Sequence, residues 1–195
     1  MIELKPVQFY LHQLHLLAND LRGEFRGVAY AKKELIRELK SEVLLDQIST
    51  ETQLEEEVND RAGDCFDSLT SNFDVLVGQL LEARHYRCML YLHFTKKDLT
   101  RELREKEFPY AKLRKLYSPE DLTEIDEEKL NAVQGELSKE DARLLELIIE
   151  EYCLSFLPAE DKRTRKKLSY SYTYVDREIN KILGITPKDL LTLQN

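Results

Sequence analysis

The sequence predicts an all-α protein: a helical bundle with long amphipathic helices and a small C-terminal appendage containing one strand. Three observations carry that expectation. Apolar residues recur at three- and four-residue spacing over most of the 195 residues. Charged residues make up 34% of the chain, yet it holds only 6 Gly and 5 Pro, a balance that suits solvated helices better than the turns of a sheet protein. Two segments, 71–107 and 138–157, carry more apolar surface than one helix can hide, so each must pack against a neighbour.

Pro6 suits a first helical turn, where its missing N–H costs nothing. Val7, Tyr10, Leu11, Leu14, Leu17, Ala18 and Leu21 follow in helical register, and Gly23 and Gly27 predict an end near Leu21. A second helix is expected over 28–47, burying Val28, Ala31, Leu35, Leu39 and Val43. Thr50 with Gln53 reads as a capping box opening a third, with Leu54, Val58, Ala62 and Cys65 inward and Gly63 weakening it. The fourth and longest starts at Ser71 and sets Phe73, Leu76, Val77, Leu80, Leu81, Arg84, Cys88, Tyr91 and Leu92 in register. Leu99 and Leu103 extend its stripe until Pro109 stops it.

Residues 108–137 form a polar connector with local helical turns, in which Ser118-Pro119-Glu120-Asp121 is a strong helix start and Gly135 a stop. Ser138-Lys139-Glu140-Asp141 opens the fifth long helix, apolar on two sides through Leu144, Leu145, Leu147, Ile148, Ile149, Tyr152, Cys153 and Phe156, and closed by Pro158. In the tail, Leu168, Tyr170, Tyr172 and Tyr174 alternate with hydroxyl residues, a period-two pattern that predicts a strand over 168–175. Helix is expected again from Asp176 to Leu183 with Gly184 as its cap, and Thr186-Pro187 opens a last turn. The expected organisation is a helical domain over 1–158 and a basic linker, short strand and terminal helices over 159–195.

A formal net charge of −8 and a pI near 5.2 lack the global footprint of a duplex-DNA binder. Cys65, Cys88 and Cys153 form no CxxC pair, which argues for small buried hydrophobes in a reducing compartment. The first ten residues do not read as a signal peptide, because Glu3, Lys5 and Gln8 interrupt them, and no uncharged run approaches the ~18 residues of a membrane span. An intracellular protein, of cytoplasm or nucleus, is the expectation. His12 and His15 share a helix face but supply two ligands where zinc needs more, and His85 and His93 lack an adjacent nucleophile. Acid pairs such as Glu150-Glu151 are expected on solvated helix faces, and with no glycine-rich phosphate loop either, no catalytic residue, metal or cofactor is expected.

Binding chemistry is therefore the expectation. Tyr170, Tyr172 and Tyr174 on an unpaired strand could add to a partner's sheet edge. The alternative is a nucleic-acid-associated regulator, in which Lys162, Arg163, Arg165, Lys166 and Lys167 track phosphates while the tyrosines stack bases. An enzyme using His85 or His93 ranks third.

The stretch Leu80-Leu81-Glu82-Ala83-Arg84-His85-Tyr86-Arg87-Cys88-Met89, continuing to Leu103, pairs a leucine-rich face with closely spaced arginines. After the connector, Leu137-Ser138-Lys139-Glu140-Asp141 leads into an apolar helix that ends at Leu157-Pro158. Over about 71–158 this layout resembles subunits of the GINS complex, the helical scaffold of a replicative helicase, with its central long helix and its second capped helix. That family usually adds a small β-rich domain, of which the tail here offers one strand. The resemblance implies a non-enzymatic role, assembly with sister subunits as a hetero- or homo-oligomer, and interhelical or intersubunit pairing by Arg84 and Arg87.

Overall fold

The structure, a computed structural model, describes residues 4–45, 53–99 and 110–186. Among these it contains α1 (Leu4–Leu45), α2 (Gln53–Phe94), α3 (Tyr110–Leu116), α4 (Pro119–Thr123), α5 (Glu127–Gln134), α6 (Lys139–Phe156) and α7 (Lys162–Ile182). The predominantly helical expectation holds. Among the described residues no helix is long and apolar enough to cross a membrane. The chain divides into two units: Met1–Ala18 with Glu82–Gly184, and Asn19–Leu81 with Ile185–Asn195.

Three boundaries differ from expectation. Gly23 and Gly27 do not end the first helix, and α1 runs unbroken for 42 residues. Its buried positions explain why: Val7, Leu11, Leu14, Ala18, Leu21, Phe25 and Val28 alternate steps of four and three. That is the seven-residue repeat of helices that wind around a partner. Each glycine costs about 1 kcal/mol of helix propensity. Burying Leu21, Phe25 and Val28 returns about 1.5–3 kcal/mol apiece, so the helix continues. In the second unit an added Cβ at Gly27 would lie 3.1 Å from Asn72 Oδ1, which puts α1 and α2 in close approach there.

Likewise the expected third and fourth helices are one, α2, also 42 residues, with Gly63 and Ser71 inside it. The predicted cap at Ser71 is not used, and α2 ends at Phe94, so Leu99, expected to extend its stripe, is buried outside the helix. Leu39, Phe73, Val77 and Leu81, expected inside, are exposed, and Leu35 is half-buried. The expectations for Thr50, Leu103, Pro109 and Pro187, and for the side chains of Val43, Leu54 and Val58, fall outside the described residues.

The third difference is the strand. Residues 168–175 lie within α7, and the β pairing among the described residues is a single antiparallel bridge between Thr95 and Ile125. Asp161 caps α7 by accepting from the Thr164 N–H at 2.7 Å. Leu168, Val175, Ile179 and Leu183 then share the inward side, at steps of seven, four and four. Tyrosines at every second position mimic a strand, but only the aliphatic residues decide what can be buried, and theirs is helical spacing.

The caps at Ser118, Ser138 and Gly184 form as the sequence predicts. Ser118 Oγ accepts from the Asp121 N–H at 3.2 Å, and Asp121 Oδ2 accepts from the Ser118 N–H at 3.3 Å. Ser138 Oγ accepts from the Asp141 N–H at 3.1 Å. Gly184 takes φ 73°, the left-handed conformation that closes α7. At the end of α2 the connector is pinned: Lys96 N–H donates to the Glu124 carbonyl at 2.9 Å and Asp126 N–H to the Phe94 carbonyl at 2.8 Å. Lys129 Nζ donates to the His93 carbonyl at 3.0 Å, placing a cation where the helix dipole is negative.

In the unit containing α6, the end of α2 is buried all round through Cys88, Met89, Leu90, Tyr91 and Leu92. Helix α6 buries Leu144, Leu145, Leu147, Ile148, Ile149, Tyr152 and Phe156, so both of its apolar sides are used, and α7 packs along it. Tyr91 stacks on Tyr152 at 5.2 Å and on Phe156 at 5.7 Å between ring centroids. Its hydroxyl donates to the Leu122 carbonyl and thereby ties α4 to this core.

Candidate functional site: a buried arginine network and an exposed basic helix face

Arg87 projects from α2 into the junction of α6 and α7. Its Nη1 donates to Glu151 Oε1 at 3.2 Å and Oε2 at 3.4 Å, and to Asp176 Oδ1 at 3.2 Å. Nη2 donates to Asn180 Oδ1 at 3.3 Å, and Asn180 Nδ2 returns a bond to Asp176 Oδ2 at 3.1 Å. One planar fork thus joins three helices. The side chains of Arg87 and Glu151 are only 12% and 7% exposed.

Burial disfavours charge on Arg87, but Glu151 and Asp176 outweigh it, and its pKa rises above the ordinary value. Glu151 behaves oppositely: burial pushes its carboxyl above the usual range, although Arg87 and the Tyr172 hydroxyl pull it down. Arg84, the other arginine expected to pair, has an exposed side chain, and its carbonyl accepts from the Tyr152 hydroxyl at 2.9 Å.

The remaining candidate groups are placed as follows. Burial pushes the Cys88 thiol up to about 12 and the Cys153 thiol up to about 11, so both stay protonated and unreactive at neutral pH. Cys88 is buried; Cys65 and Cys153 are half-buried. His15 Nε2 meets Asp141 Oδ1 at 2.9 Å, at the edge of a surface pocket of about 250 Å³ that His12 also lines. No group of three metal-ligating side chains occurs among the described residues.

His85 Nδ1 is buried without a hydrogen-bond partner among the described residues. Burial lowers its pKa below the ordinary 6.5, against a smaller opposing pull from Glu82. The unfolded chain therefore takes up a proton near pH 6.5 that the folded chain refuses until lower pH. Stability contributed by the neutral imidazole is full above about 6.5 and declines as pH falls below it. Denaturant midpoints at pH 7.5 and 5.5 check this. His85→Gln is expected to shrink the drop between the two; an unchanged drop assigns it to another group.

The helical state of 162–182 rearranges the basic and aromatic residues. Tyr170 and Tyr174, four apart, share one outer face and are 66% and 57% exposed. Tyr172 lies on the other side, close enough to bond Glu151. Arg163, Lys166 and Lys167 share the tyrosine face, Lys162 stands at its margin, and Arg165 points away from it. The sequence did not single out Arg177 and Lys181, which complete this face; helical periodicity applied through Tyr174 would have found them. Glu151, expected with Glu150 on a solvated helix face, is instead buried because it faces Arg87 at the junction of three helices, and Asp176 and Asn180 were not singled out; nothing local marks the three.

No protein-family model matches this chain, and neither curated proteins nor solved structures give a significant match.

Proposed function

We propose that this chain is a non-catalytic helical scaffold, an assembly subunit of the kind found in the GINS component of a DNA replication helicase complex. One observation carries the reading: α2 leaves a line of large apolar side chains in water. Phe66, Phe73, Val77 and Leu81, at steps of seven, four and four, lie on one face of its portion in the second unit, and Phe66 and Leu81 are 57% and 60% exposed. The line covers about 22 Å of helix, with Thr70 between Phe66 and Phe73, and a row of exposed large apolar side chains of that extent marks a protein-binding face. An amphipathic helix from a sister subunit fits it, with apolar anchors at three- and four-residue spacing.

Supporting this reading, the buried guanidinium of Arg87 is spent on holding three helices of the chain together, and two of the thiols are kept protonated. The resemblance over 71–158 adds the class of complex.

The test is native purification with measured stoichiometry. The chain is expected in a complex of fixed composition that contains helicase components. Phe73→Glu with Leu81→Glu, both at exposed positions, is expected to release it while its helical circular dichroism stays unchanged. A chain that sediments as a monomer in native extract, or a complex indifferent to the paired substitution, overturns the reading.

A further inference from the structure

We propose that the outer face of α7 is a binding site for single-stranded nucleic acid. The helix carries seven Lys and Arg against two acids, within a chain whose formal net charge is −8. Its cations are not scattered. Arg163, Lys166, Arg177 and Lys181 fall in line with Tyr170 and Tyr174 at steps of three and four, with Lys167 beside them, and all are exposed. The line covers about 27 Å. Lys181 lies 3.9 Å from Glu178, while the side chains of Arg163, Lys166, Lys167 and Arg177 form no ion pair with a carboxylate among the described residues.

Cations left unpaired on one face of a chain with net negative charge match a polyanion, which that net charge otherwise disfavours. The tyrosines decide which polyanion. Both rings stand in solvent, and Lys166 Nζ sits 5.8 Å from the Tyr170 centroid, so cation and ring present one surface. Duplex bases are already stacked and gain nothing from such rings, whereas splayed bases of a single strand stack on them. Phosphates then follow the cations, with the bases turned toward Tyr170 and Tyr174. This site does not depend on the assembly reading: it lies on α7, remote in sequence from Phe66–Leu81.

The test uses fluorescence anisotropy of the full chain with labelled 20-nucleotide deoxythymidine and uridine strands and a 20-base-pair duplex, over a salt series. One or both single strands are expected to bind more tightly than the duplex. The affinity should fall with salt with a log–log slope of about −3.5, as about five phosphate contacts dictate. Tyr170→Ala with Tyr174→Ala should weaken binding roughly fivefold or more per ring with the slope unchanged. Arg177→Gln should cost more than Arg165→Gln, which removes the same charge from the other side of the helix. Circular dichroism confirms that each variant keeps its helix. Absent binding in 50 mM salt overturns the proposal. So does equal affinity for the duplex with inert tyrosines, equal loss from Arg165→Gln and Arg177→Gln, or displacement by polyglutamate as effective as by oligonucleotide.

Discussion

Arg87→Met is expected to destabilise the fold by about 3–5 kcal/mol, the usual consequence of removing one partner from a buried ion pair. Methionine matches the length of the arginine stem, so packing changes little. The loss arises because Glu151 stays buried with its countercharge gone and with Asp176 still nearby. Chemical denaturation checks the magnitude, and its pH dependence checks the cause. The Glu151 pKa is already above its ordinary 4.5, and removing Arg87 drives it further up. A carboxyl with a raised folded pKa holds its proton more tightly in the native state, so stability falls as pH climbs through that value. The deficit of Arg87→Met should therefore be larger at pH 8 than at pH 5. Adding Glu151→Gln should recover part of it and flatten the difference. A small loss of the same size at both pH values would show that the network contributes packing rather than charge pairing.

Tyr91→Ala is expected to cost about 3–5 kcal/mol, as for other large aromatic truncations in a core. Tyr91 is fully buried, it stacks on both Tyr152 and Phe156, and its hydroxyl holds the Leu122 carbonyl. Tyr91→Phe separates these roles. It keeps the ring but strands a carbonyl, a loss of about 1–3 kcal/mol. The two variants measured side by side give the ring's share as the difference. Equal losses would mean that the rings are replaceable and the tie to α4 carries the stability.

The parts of this fold that were legible in the sequence are those decided within a few residues. Ser118 and Ser138 with their acids, Gly184 after its helix, and the two-sided apolar pattern of 144–156 are local statements, and each forms as expected. Continuity through Gly23 and Gly27 was not legible, because propensity argues locally for a stop while burial of Leu21, Phe25 and Val28 argues for continuation; around Gly63 and Ser71 none of residues 60–75 is buried, and no such burial accounts for the unbroken helix. Tyr170, Tyr172 and Tyr174 misled for a related reason: their alternation is conspicuous, whereas Leu168, Val175 and Ile179, which set the period, are sparse. The candidate site was half visible. Arg87 could be named from its helix, but its partners stand 64, 89 and 93 residues away, and only the packing of α6 and α7 brings them to it. The cations of α7 could be named as a cluster, yet their shared face with Tyr170 and Tyr174 exists only once the segment is helical.

The bridge between Thr95 and Ile125 has a consequence for how this chain can vary. Pinning those two positions sets in place the ends of the excursion that carries α3 and α4. The entropy of such an excursion grows only with the logarithm of its length, about 0.6 kcal/mol per doubling. Related chains can therefore lengthen or shorten there at little thermodynamic expense, so long as the pinned ends and the buried side chains Leu113 and Leu122 are kept.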